Sequence, residues 1–97
     1  MDLQVGDVAH LSLLVQRLLD AEVLRTAEGA ALLTVADAAC LSLEEGDLFT
    51  VRRHVEQVAL FTEALVRTNA LSPVDGRAVI STANAILGVG GGERVRG

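Results

Sequence analysis

The second half of this 97-residue chain repeats the first at an offset of 47 positions. Leu13, Leu18, Leu24, Gly29, Ala31, Ala36 and Ala38 have identical counterparts in Leu60, Leu65, Leu71, Gly76, Ala78, Ala83 and Ala85. Conservative pairs fill the intervals: Gln16 with Glu63, Glu28 with Asp75, Leu33 with Ile80, Thr34 with Ser81, and Asp37 with Asn84. A fixed period of this length implies one supersecondary unit used twice.

Apolar periodicity identifies the unit as a helical hairpin. A first helix is expected from about Asp7 to Ala21, with Val8, Leu11, Leu14, Val15, Leu18 and Leu19 at helical spacing. A second is expected from about Ala27 to Leu43, with Thr26 as N-cap. The third, about Leu48 to Thr68, carries Val51, Val55, Val58, Ala59, Phe61, Thr62 and Leu65 on one stripe. The fourth opens with Ser72 as N-cap, Pro73 at its first position and Asp75 in its first turn. It ends near Leu87, where Gly88 and the run 90–92 break it. No segment alternates with period two long enough to form a strand. The expected fold is therefore all-α: a four-helix bundle of two tandem hairpins related by a pseudo-two-fold axis. It is one domain over 1–88, with repeat one at 7–43, repeat two at 48–88, and a flexible Gly/Arg tail at 89–97.

Composition excludes several classes of function. A net charge of −5 argues against nucleic acid, whose phosphates need a basic face. Aromatic content is 2%, Phe49 and Phe61 alone, which disfavours stacking on bases or sugars. All eight basic residues are arginine, so lysine Schiff-base chemistry is absent. The lack of lysine beside abundant alanine and valine has the look of a GC-rich bacterial genome. Cys40 is the single cysteine and no intramolecular disulfide can form. The chain shows neither a signal-peptide pattern at Met1–Gln4 nor about 20 uninterrupted apolar residues, so no membrane partner is expected. The expected location is cytoplasmic, or secreted where the chain is a module of a larger exported protein.

Charge is unevenly shared among the helices. The first and third hold most of it, whereas the second sets Glu28, Thr34 and Asp37 among alanines, and the fourth carries one cation, Arg77. A helix weakly polar all round is normally covered on more than one side. The expected contact surface comprises Ala30, Ala31, Thr34, Ala38, Arg77, Ser81 and Asn84, and its simplest occupant is a second copy of the chain.

Chemistry-bearing residues are few. His54 could join Asp7 and His10 in a pocket between the hairpins, as an acid–base or metal site of a small helical enzyme or ligand-binding protein. Asp7 equally serves the helix dipole as a first-turn acid. Gly29 and Gly76 are expected to permit close helix approach, since an adjacent acid (Glu28, Asp75) would repel a phosphate. Cys40 is expected to be a buried, inert thiol. Glu44, Glu45 and Asp47 form an acidic loop without the alternating ligands of a calcium site. No metal and no cofactor are expected.

Residues 14–24 (Leu-Val-Gln-Arg-Leu-Leu-Asp-Ala-Glu-Val-Leu) and 27–33 resemble the opening of the FIMAH-type helical module. The centre, Leu43-Glu44-Glu45-Gly46-Asp47, and the helix ending Phe61-Thr62-Glu63-Ala64-Leu65-Val66 are similar to it as well, and 71–80 match best. The resemblance covers about residues 14–87. It implies an accessory, non-catalytic role, as in modules appended to bacterial secreted or surface hydrolases. The expected function is thus a protein-interaction module acting as a homodimer or accessory subunit. The alternatives are the His54 pocket and a regulatory, antitoxin-like partner protein.

Overall fold

Four α-helices make up the computed structural model, which describes residues 7–88: α1 (Val8–Asp20), α2 (Thr26–Glu44), α3 (Leu48–Arg67) and α4 (Pro73–Leu87). No strand occurs among the described residues. The tail expected at 89–97 lies outside them.

The helix ends follow from local chemistry. Ser72 caps α4 as its sequence implies: its Oγ accepts from the Asp75 amide at 3.2 Å and donates to Asp75 Oδ2 at 2.9 Å. Pro73 follows at the first helical position, where a missing N–H costs nothing. Thr26, expected as the cap of α2, is instead its first helical residue. Arg25 takes the cap position with φ −64° and ψ 149°, and no side chain bonds the exposed amides. The reason is the buried Leu24, which anchors the chain one residue earlier and leaves Arg25 to make the turn. The Gly29 amide then donates to the Arg25 carbonyl at 2.8 Å, as the Gly76 amide does to the Ser72 carbonyl at 2.9 Å.

The first three helices end in the same hydrogen-bonded motif. After α1, the Glu22 amide donates to Leu19 O and the Val23 amide to Leu18 O; after α3, Asn69 donates to Val66 O and Ala70 to Leu65 O. Gly46 and Asp47 repeat the pattern on Leu43 O and Ser42 O after α2. Each uses one residue of positive φ: Glu22 at 60°, Gly46 at 78° and Asn69 at 65°. Such compact reversals make sequential helices neighbours, and α4 returns to pack on α1, closing a ring. The Cα envelope is 34 × 34 × 16 Å. A depth of 16 Å matches two helices, given a spacing of about 8–10 Å and a Cα radius of about 2.3 Å.

The core lies where the apolar stripes meet. Val8, Leu11 and Val15 of α1, Leu32, Ala36 and Ala39 of α2, Val51, Val55 and Val58 of α3, and Val79, Ala83 and Ile86 of α4 are all solvent-inaccessible. Thr62, the one fully buried polar side chain among the described residues, returns its hydroxyl to the Val58 carbonyl at 2.7 Å, so its burial strands no donor. Leu14, Leu18 and Phe61, expected in the core, are half-buried at its margin.

Candidate functional site

Close helix approach explains both repeated glycines. A Cβ at Gly29 would overlap Leu19 Cδ1, and one at Gly76 would overlap Val66 Cγ2. Leu19 and Val66 are themselves 47 positions apart, so the same crossing is made at both hairpin ends. The glycines are packing residues.

The expected contact residues occupy two surfaces. Ala30, Ala31 and Thr34 are exposed on α2 and Ala38 is half-buried there. Thr34 returns its hydroxyl to the Ala30 carbonyl at 2.8 Å and so presents little polarity. Leu41, 58% exposed, extends this face. On α4, Arg77 and Ser81 are exposed and Asn84 is half-buried. Extensive packing joins α2 to α1 and α3, and α4 to α3 and α1, so α2 and α4 sit across the ring from each other. Their outward faces are not contiguous. Periodicity along each helix revealed an uncovered side; it carried no information on how the two sides are arranged.

By length and composition α2 is apolar enough to cross a membrane, with mean hydropathy 1.3, and 28% of its most apolar window is buried. Its five buried residues place it within the bundle.

The histidines are on helices that face each other across the ring. His10 is exposed, Asp7 is half-buried at the head of α1, and His54 is half-buried on α3 with Nδ1 enclosed and without a hydrogen-bond partner. No hydrogen bond links the three residues, and among the described residues no group of three His, Cys, Asp or Glu side chains is placed to hold a metal ion. Cys40 is half-buried rather than buried, because it stands at the α1–α2 seam with Sγ 3.8 Å from the Val8 carbonyl. Burial pushes the thiol above its ordinary pKa, and Asp37 and Glu44 add to the shift. A thiol so placed is a poor nucleophile.

Two features were not read from the sequence. Asp47 is the N-cap of α3 and not merely part of an acidic turn: Oδ1 accepts from the Thr50 amide at 3.1 Å and Oδ2 from the Thr50 hydroxyl at 2.7 Å. These bonds hold its carboxyl below the usual range. An Asp three residues before a Thr at a helix start was the available signal. The other feature is a difference between the hairpins. Ser12 donates to Asp37 Oδ1 at 2.6 Å, tying α1 to α2. The counterparts at the 47-residue offset are Ala59 and Asn84, and alanine has no hydroxyl to give. Ala59 and Asn84 instead line an open groove of about 290 Å³ between α3 and α4, together with Glu56, Leu60, Glu63 and Leu87.

The fold and these surfaces define a small all-α bundle whose distinguishing features are uncovered faces. No family model matches the chain, and no curated protein or solved structure matches it at a significant level.

Proposed function

We propose that the protein is a non-catalytic interaction module that self-associates through the outward face of α2. One observation carries the reading: between Glu28 and Ser42 the polar side chains of α2 are Thr34 and Asp37, which return hydrogen bonds within the chain, yet Ala30, Ala31, Thr34 and Leu41 face solvent. Removing such a face from water contributes roughly 25 cal/mol per Å² of apolar area. Small side chains let a second helix approach closely without trapping long, rotamer-rich groups at the contact. The accessory role implied by the FIMAH-type resemblance agrees with this reading. So does the placement of Cys40, whose chemistry is suppressed, and of His10, which is exposed on α1. Substituting Ala31→Glu and Ala38→Glu should dissociate the assembly and leave the helices intact; unchanged mass in the double variant would place the contact elsewhere.

A further inference from the structure

The two hairpins differ along their outer seams in a way that core packing does not require. In the first, Ser12 and Asp37 bridge the outer seam. In the second, Ala59 and Asn84 leave the seam open, and the Asn84 side-chain amide makes no hydrogen bond among the described residues. The residues flanking the opening have changed too. Glu56 and Glu63 stand where the first hairpin has Ala9 and Gln16, while the exposed leucine is kept, as Leu13 in one and Leu60 in the other. Leu60 is 66% exposed beside the groove.

From this divergence we propose that the α3–α4 groove docks a basic amphipathic helix of a partner protein. The partner's apolar residue sits against Ala59, Leu60 and Leu87, and two arginines or lysines one heptad apart meet Glu56 and Glu63. The spacing sets the match. Glu56 and Glu63 are seven residues apart on α3, about 10.5 Å along its axis, the separation of positions i and i+7 on a docked helix. Glu63 makes no ion pair among the described residues. Arg52 Nε lies 3.7 Å from Glu56 Oε2 in an i,i+4 pair that is half-exposed at Arg52 and exposed at Glu56, a geometry in which solvent screening keeps the ion pair weak. Asn84 supplies one amide, both donor and acceptor, to fix the partner along the groove. The proposal rests on the interaction-module reading, though on a different surface from the self-association face.

The test is a fluorescence-anisotropy titration with a synthetic helical peptide carrying arginines at i and i+7 and leucines at i+3 and i+4. A second peptide with both arginines changed to glutamate is the control. Saturable binding of the first peptide alone is expected. Glu56→Gln with Glu63→Gln should weaken it about fivefold to tenfold. Ala59→Ser with Asn84→Asp rebuilds the bridge that the first hairpin already tolerates, and should weaken binding although it adds a negative charge. Diffuse electrostatic attraction would strengthen instead, so the sign separates the two cases. Circular dichroism confirms that each variant is folded, and Leu13→Ser on the other hairpin should leave affinity unchanged. Absence of saturable binding, equal binding of the glutamate peptide, or full affinity in the Ala59→Ser, Asn84→Asp double variant overturns the proposal. None of these results bears on self-association through α2, which is read from mass.

Discussion

Glu22 and Asn69 hold the same left-handed backbone, at φ 60° and 65°, and lie 47 positions apart. They are the only non-glycine residues of positive φ among the described residues, and each ends a helix of its hairpin. Asparagine accepts this conformation readily, whereas glutamate does not. Glu22→Gly should therefore raise stability by about 0.5–1 kcal/mol, and Asn69→Gly by less. Urea midpoints of the two variants check this; a lower midpoint for Glu22→Gly would mean that the strain is offset by contacts of the glutamate side chain.

The two buried glycines should respond differently to alanine. Alanine gains up to about 1 kcal/mol of helix propensity over glycine, against the overlap it creates. At Gly29 the obstacle is the tip of Leu19, a half-buried side chain that can rotate away. At Gly76 it is a methyl of Val66, whose β-branched side chain is stiff in a helix. Gly29→Ala is expected near neutral and Gly76→Ala destabilising by about 1–3 kcal/mol, read from thermal or urea unfolding. Equal effects would show that the crossings do not differ in rigidity.

Asp47 links α3 to pH. The Thr50 hydroxyl and amide hold its carboxyl below the ordinary value, so it helps folding while ionised. That contribution is complete above the ordinary carboxyl value of 3.8 and is lost as pH falls through the lower folded value. Asp47→Asn keeps an acceptor at the cap but does not titrate. Its urea midpoint should fall less than that of the wild-type protein between neutral and strongly acidic pH. An identical acid dependence would remove Asp47 from the acid response.

Cys40 should alkylate slowly. With its pKa raised by burial and by Asp37 and Glu44, the thiolate fraction at mildly alkaline pH is below that of a free cysteine. Iodoacetamide should react several-fold slower with the native protein than with the urea-unfolded chain. Equal rates would mean that the α1–α2 seam opens faster than the reagent attacks.

Where the chain carries a local physical signal, the structure follows it. Ser72 and Pro73 start α4 because a hydroxyl and a fixed φ act within one turn, and Val51, Val55 and Val58 are buried because their spacing matches the helix. Arg25 and Asp47 show the limit. Which residue caps a helix depends on where the loop is anchored, and for α2 that anchor is Leu24, which belongs to the buried core. The separation of α2 from α4 was illegible for the same reason, since periodicity reports a helix's apolar side but not its neighbour. The Ser12–Asp37 bridge was hidden from a comparison of the two hairpins at the 47-residue offset, because Asp37 and Asn84 differ by little in sequence while Ser12 and Ala59 decide whether a bond exists.

Self-association through α2 is tested most directly by size-exclusion chromatography with light scattering at high micromolar concentration. The chain weighs 10.2 kDa, and twice that mass is expected, returning to 10.2 kDa in the Ala31→Glu, Ala38→Glu variant. A mass of 10.2 kDa for the wild-type protein at every concentration contradicts it.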